Sequence, residues 1–499
     1  MLLMGVDIGT TSAKAIVFDT NGTVVGSGFK EYGIRYSMGD RAEQDAEEIW
    51  NITKLVISSA CIEHGRDVGA LSLSVQGDAI IPISKSRKAV ALAQLGMDYR
   101  GREEALQCEK LIGGWELYKT TGMRPHPLNS FVKMLWIMHN DQSLYKKTYK
   151  FVTYSDFLLA KLGSDEVVID YSMASRTMCM DARNLKWSDS ILSMFNFDIK
   201  KLSWPVASGT VVGTVSTKVA AELGLSTTCK IVAGGHDQPC AALGAGVIKP
   251  NIALDSHGSA EVVSTVFVDS KLNDRNMFAG YYPCYRHVMP EMYFSFALLH
   301  AAGVIYKWFI EEFCGVDALL AKTREERLYA YIDSNLPPKP SSVMVVPYLN
   351  GSGTPTCDLD AKGSILGLTL STTRMDIAKA ILESLCFEVR HNIETMNLSG
   401  INIDVLRCVG GGARSDISLQ LKADILSREI ETLRNREAAC LGAAILAGYA
   451  TGVYNTLEEA VSVVVRKEKV YTPNFQMASA YEEKYQRYIT YAKSASHMY

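Results

Sequence analysis

Short apolar runs ending in turns rich in glycine, serine or aspartate alternate along this chain with longer stretches of helical period, the pattern of α/β domains. Leu2 to Asp7 and Ala13 to Asp19 predict two strands joined by the turn Gly9-Thr10-Thr11-Ser12. Asn21-Gly22 predicts a hairpin into a third strand, Thr23 to Tyr32. A helix is predicted from about Ala46 to Glu63, then a strand, Ala70 to Val75, that ends in Gln76-Gly77-Asp78. Thr121 to Ile137 reads as a turn with Pro125 and Pro127 followed by an amphipathic helix carrying Lys133, with His126 structural or solvent-facing. Asp170 to Ser175 begins another helix, with capping chemistry. Pro205 to Gly213 reads as a connector before the strand that ends at Val232-Ala233-Gly234-Gly235-His236-Asp237.

Beyond Gly246, Lys249-Pro250-Asn251 reads as an interdomain hinge, and Ile252 to Val263 repeats the opening theme of strand, short polar turn and strand. A loop of this kind opening each half predicts two related domains facing across a cleft. Asp376 to Glu394 predicts a long helix, and Val405 to Val409 a strand emptying into Gly410-Gly411-Gly412. The longest apolar run, Ala438 to Ala450, contains two glycines and falls short of the roughly 20 residues that span a bilayer; it predicts a buried helix.

Composition narrows the function class. The 499 residues are too many for one core and predict two to four domains, and 47% hydrophobic with 21% charged residues is ordinary for a soluble protein. A net charge of -3 gives no reason to expect nucleic acid as a partner. The 11 cysteines show no metal or disulfide spacing, and no leader-like segment precedes Val6; both fit a cytoplasmic protein with reduced thiols.

Three glycine-bearing loops carry the candidate chemistry. In the first, Thr10, Thr11, Ser12 and nearby Lys14 can hold a polyphosphate, with Asp7 reaching its magnesium through water. In the central stretch, paired glycines let backbone approach an anion, and Asp237 stands at a strand-to-helix turn as a buried base or as a plain N-cap. In the third, Gly410, Gly411 and Gly412 allow an adenine or ribose to lie on the backbone, with Ser415 and Asp416 capping the next helix. Gln76, Asp78 and Asp98 are candidates to grip hydroxyls, or are turn residues and N-caps; Arg100 and Arg102 read equally as a solvated helix face. His257 is as consistent with a plain turn as with a phosphate contact. The Walker lysine motif is absent, which disfavours a P-loop fold.

From the Asp7-Gly9-Thr10-Thr11 loop to Gly442-Ala443-Ala444, the chain resembles the FGGY family of carbohydrate kinases. The most specific element is Gly363-Ser364-Ile365-Leu366-Gly367-Leu368 followed by Asp376 to Glu383; Ser130 to Asn140 matches the N-terminal signature less faithfully. The resemblance implies an α/β fold of two RNase H-like (actin-like ATPase) domains, 1–247 and 248–499, closing over a catalytic cleft. It implies ATP-dependent phosphorylation of a sugar, sugar acid or polyol, with Mg2+ held by the nucleotide, Asp7 and water, and by analogy a homodimer. Asp237 matches the general base, and Gln76, Gly77, Asp78, Asp98, Asp237 and Gln238 match substrate-binding positions. Thr10, Thr11, Ser12 and Lys14 match the first phosphate loop, Gly258 and Ser259 the second, and Gly410, Gly411, Gly412, Ala413 and Ser415 the adenosine loop.

Departures from the family bear on the acceptor. Relatives acting on glycerol carry Arg-Glu after the strand-end Gln, and those acting on xylulose carry Met-His, where this chain has Gly77-Asp78. Glycerol is thereby disfavoured, and a ketopentose such as xylulose is the leading acceptor. The alternative is a nucleotide-dependent sugar sensor or ATPase without phosphotransfer to sugar. A catalytically silent scaffold is the third reading. Retention of Asp237 beside all three loops favours the kinase, because neither a sensor nor a scaffold needs a base facing a substrate hydroxyl.

Overall fold

The three opening strands form as predicted, at Leu2–Ile8, Ser12–Phe18 and Val24–Glu31, and pair antiparallel in sequence order. The structure is a computed structural model, and it describes residues 1–37 and 40–495. On the free edge of Leu2–Ile8 lie two parallel strands, Val68–Val75 and then Lys230–His236, and the antiparallel strand Val211–Thr214 closes the six-stranded sheet. The segment read as a connector therefore ends in an edge strand.

The second half repeats this wiring. Asn251–His257 pairs antiparallel with Glu261–Phe267, which pairs with Tyr293–Leu299. Its other edge carries the parallel strands Ile403–Gly410 and Glu429–Leu433. Tyr285–Arg286 and Lys467–Tyr471 complete seven strands. In each half a hairpin thus lies beside parallel strands, and loops at the carboxyl ends of such strands are where α/β proteins bind ligands.

Two helices cross between the sheets. Asp237–Gly244 belongs to the first half by sequence, yet Ala242 packs in one cluster with Leu254, Val266 and Phe294 of the second sheet. Ala438–Ala450 forms with the bounds that its apolar run predicts, and Leu441, Ala444 and Ile445 pack with Leu3, Ile16 and Ala70 of the first sheet. The crossing is too tight for a side chain: a Cβ on Gly442 would lie 1.8 Å from the Cys240 carbonyl oxygen, and one on Gly244 would lie 1.9 Å from that of Ala438. The two halves share one core at this point.

The long helix runs Arg374–Asn397, three residues further than the sequence predicts at its end and two earlier at its start, where Thr373 and Asp376 form a capping box. All 11 cysteines are free and all but Cys357 are buried. No helix among the described residues is long and apolar enough to cross a membrane.

Candidate active site

Asp237 is the first residue of the helix Asp237–Gly244, and the cap position belongs to His236. The plain N-cap reading therefore fails. Burial pushes the Asp237 carboxyl up to about 7, and the Asp7 carboxylate adds to the effect. Such a carboxyl is poised to exchange a proton near neutral pH.

The paired glycines before it serve packing rather than an anion. A Cβ on Gly234 would lie 1.7 Å from the Leu73 carbonyl oxygen, and one on Gly235 would meet Val288 Cγ1 at 2.3 Å and Ser172 Oγ at 2.8 Å. The parallel ladder shifts register between Val232 and Gly235, so this irregularity aims the strand end.

Around Asp237 stand groups that the sequence pattern did not single out. His236 Nε2 lies 3.0 Å from Asp237 Oδ1, and its Nδ1 lies 3.1 Å from the Tyr285 hydroxyl, on a strand of the second half. The predicted strand-end residue Asp78 is buried at a φ of 66° and ion-pairs with buried Arg176. The Arg176 guanidinium also lies over the rings of Tyr285 and Phe296, 5.3 and 5.6 Å from their centroids. Asp78 Oδ1, Arg176 Nε, Asn129 Nδ2 and Gln238 Oε1 are all buried without a hydrogen-bond partner, a costly condition that a polyhydroxylated ligand would relieve. Arg176 and Asn129 also line a cavity of ≈ 800 Å³ between the halves, walled on the far side by Tyr281, Phe296 and His300.

Other expectations come out differently. Asp98 is fully buried, and its carboxylate is taken up by the Ala42 N–H at 2.9 Å and by Arg100, whose Nε donates at 2.8 Å; it braces the fold instead of facing a ligand. Arg100, for which a solvated helix face was the equal reading, is therefore a buried ion-pair partner, which also reaches Glu43, whereas Arg102 is exposed. Lys133, assigned to an amphipathic helix, is fully buried and donates to the carbonyls of Pro127 and Leu128; burial lowers its pKa to about 8. His126 makes an edge-on ring contact with Tyr99 and lines the cavity.

The first loop folds tightly, Gly9 N–H donating to Ser12 C=O at 2.9 Å, with the Tyr32 hydroxyl donating to Gly9 C=O at 2.6 Å. Gln76 is tied to it: its amide donates to Gln44 Oε1 at 3.4 Å, and Gln44 in turn donates to Thr10 C=O at 2.8 Å. Asp7 accepts from the Ser74 hydroxyl at 2.6 Å, and burial raises its carboxyl to about 6. In the second half, by contrast, the strand acid Asp255, two residues before the strand end, is paired by buried Lys422, which also pairs with Glu261. Asp7 forms no ion pair among the described residues, which leaves it able to meet an external cation. Lys14 sits in the second strand opposite Asp7 rather than in the loop.

In the second half, Ala302 N–H donates to Ser259 C=O and Gly303 N–H to Gly258 C=O, bracketing that loop against the helix Gly303–Phe313. Gly410 has a φ of 91°, and a Cβ on Gly412 would lie 2.3 Å from the His257 ring. His257 thus packs between the second and third loops. Ala413 falls in the short turn Gly412–Arg414, and the Ser415 hydroxyl caps Asp416–Leu426 by accepting from Ser418 N–H at 3.1 Å.

Comparison with known proteins agrees with this geometry. The model of the FGGY family of carbohydrate kinases, N-terminal domain, matches residues 2–244, and that of the C-terminal domain matches 262–451. The chain is 29% identical over 494 residues to a xylulose kinase of Staphylococcus epidermidis, covering 98% of this chain and 95% of that one. It is 32% identical over 473 residues to glycerol kinase 1 of Lactiplantibacillus plantarum, covering 92% and 90%. Among solved structures, a gluconate kinase from Lactobacillus acidophilus superposes with a TM-score of 0.89 at 22% identity, covering 100% of this chain and 99% of that chain. With both domain models spanning most of its length, the chain belongs to the FGGY family of carbohydrate kinases.

Proposed function

We propose that this kinase transfers the γ-phosphoryl group of ATP to one hydroxyl of a ketopentose such as xylulose, with Asp237 as general base. The observation that carries the reading is Asp237 at the head of the crossing helix, its carboxyl near 7 and flanked by the Asp78–Arg176 pair. Asp237 takes the acceptor's proton as the hydroxyl oxygen bonds to the γ-phosphorus; the bond from that phosphorus to the bridging oxygen breaks, and ADP leaves.

Asp78 Oδ1 and Gln238 Oε1 accept from sugar hydroxyls, while Arg176 Nε and Asn129 Nδ2 donate to them. Four unspent polar atoms suit a multiply hydroxylated acceptor better than glycerol. The first loop, Thr10 to Ser12 with Lys14, and the second, Gly258-Ser259, face the phosphates; Gly410 to Ala413 hold adenosine. No trio of acidic, histidine or cysteine side chains among the described residues could hold a metal alone. The donor set fits a magnesium ion carried by the nucleotide with Asp7 as its one carboxylate, there to offset phosphate charge. The domains correspond to 1–247 and 248–499, and closure between them keeps water from the γ-phosphate.

The test is ADP release with magnesium-ATP against a panel of ketopentoses, aldonates, deoxysugars and pentitols, each beside Asp237→Asn. An Asp237-dependent signal with a ketopentose supports the reading. Turnover with glycerol alone, or ATP hydrolysis indifferent to every acceptor, overturns it.

A further inference from the structure

We propose that His236 is a positioning residue for Asp237: its Nε2–H holds Oδ1, and Tyr285 from the other half of the chain fixes the tautomer that makes this possible. The kinetic part of this inference rests on the kinase reading above; the tautomer part does not.

A neutral imidazole has one N–H and one lone pair, and its two neighbours decide which nitrogen carries the proton. His236 is buried, and burial, reinforced by the Arg176 guanidinium, holds its pKa well below the usual imidazole range. The ring is therefore neutral at pH 7. The Tyr285 hydroxyl is fully buried, kept protonated by burial, and has His236 Nδ1 as its hydrogen-bond partner at 3.1 Å. A phenol that donates there places the lone pair on Nδ1 and the proton on Nε2. Nε2 faces Asp237 Oδ1 at 3.0 Å, where an N–H attracts the carboxylate and a lone pair would repel it.

Three further contacts show that the ring has a built seat. The His236 backbone N–H donates to Ser172 Oγ at 2.9 Å, and that hydroxyl donates to buried Asp170 at 2.5 Å. The Tyr285 ring meets the imidazole edge-on, with centroids 5.8 Å apart. A Cβ at Gly77 would stand 2.7 Å from His236 Nε2, so the ring occupies space that any larger residue at 77 would claim. Gly77 and His236 are thus one structural unit. Because Tyr285 lies on the sheet of the second half, the orientation of the base depends on how the halves meet.

The charged groups facing this pair are few. Asp237 feels Asp7 and Asp78 as like charges and Arg176 as an opposite one; His236 feels Arg176. Losing the Nε2–H removes the positive edge of the ring that stands 3.0 Å from the ionised Asp237 carboxylate, so the acid limb of kcat/KM moves to higher pH, by about one unit.

Two measurements test this. With 15N-labelled histidine, the signal absent from His236→Gln reports the imidazole directly, without any substrate. A neutral Nε2–H tautomer from pH 6 to 8 that is lost in Tyr285→Phe supports the proposal; an Nδ1–H tautomer, or a charged ring at pH 7, overturns it. In the kinetic arm, Tyr285→Phe and His236→Leu are expected to shift the acid limb upward and to lower kcat about ten-fold with KM for MgATP little changed. His236→Gln, whose amide N–H reaches the same place as Nε2, is expected to restore most of the rate and the limb. Equal losses in Leu and Gln variants that retain the parent pH profile would reduce His236 to packing. If the parent shows no acceptor-dependent turnover, the kinase reading fails while the tautomer result still stands or falls by itself.

Discussion

Lys14 on the second strand and Glu437 at the head of the helix Ala438–Ala450 lie 423 residues apart in sequence and meet at 2.6 Å. The pair spans the two halves beside the first loop. Its side chains are 30% and 42% exposed, so it is worth at most about 1 kcal/mol, and its loss should leave thermal unfolding nearly unchanged. Its weight falls on ligand binding, because a nucleotide phosphate must compete with Glu437 for the ammonium. Glu437→Gln is expected to tighten MgATP binding about two-fold at low salt, and Lys14→Ala to weaken it, by calorimetric titration; equal affinities would show that Lys14 faces no phosphate.

Asp237→Asn should lower kcat by about a hundred-fold or more while MgATP binding stays within about two-fold. In the parent, the base works ionised, and its carboxyl is held near 7 chiefly by burial. The rate therefore rises as pH increases through about 7 and levels off above it. A rate flat from pH 5 to 8 would show that this proton is not moved in the slow step.

The buried Asp78–Arg176 pair predicts a strongly non-additive double mutant. Arg176→Met leaves Asp78 buried and unanswered, costing about 3 to 5 kcal/mol, and Asp78→Leu does the same to Arg176. The double variant should be more stable than the sum of the singles by at least about 1 kcal/mol in denaturant titration, yet bind sugar no better than either single variant. Additive losses would place the two side chains in separate networks.

At the crossing, Gly442→Ala puts a methyl into the Cys240 carbonyl, and backbone on both sides leaves nothing that can swing aside. The variant should lose about 3 kcal/mol or more, a fall of several degrees in Tm. Gly452→Ala is a useful contrast, since nothing lies within 4 Å of that Cβ although its φ of 73° still costs about 1 kcal/mol. Similar losses for both would mean that the clash at 442 is relieved.

The strands, the crossing helix Ala438–Ala450 and the three loops were legible because each is a local signal: alternation, an apolar run, or glycines between strand and helix. The placement of Asp237, Gln76 and Asp78 just past strand ends was legible for the same reason. Asp98 looked the same and is not the same, because its partner Arg100 saturates it and pairing is not visible in residue type. Arg176 and Lys133 were misplaced or passed over since each lies in a helical stretch where a lone cation reads as solvent-facing; in the fold both are buried. Tyr285 acts on His236 from 49 residues away in sequence, on another sheet, and no periodicity records such a meeting.

The exchange of helices has a consequence for how this enzyme can be divided. Residues 237–244 reach from the first half into the second half's core through Ala242, while Cys240 and Leu243 stay with the first sheet, and residues 438–450 reach from the second half into the first half's core. A chain severed near residue 248 would release two fragments, each baring an apolar helix and a sheet face shaped for the other. Alone they should aggregate; together they should reassemble as a split enzyme, with activity returning only on mixing.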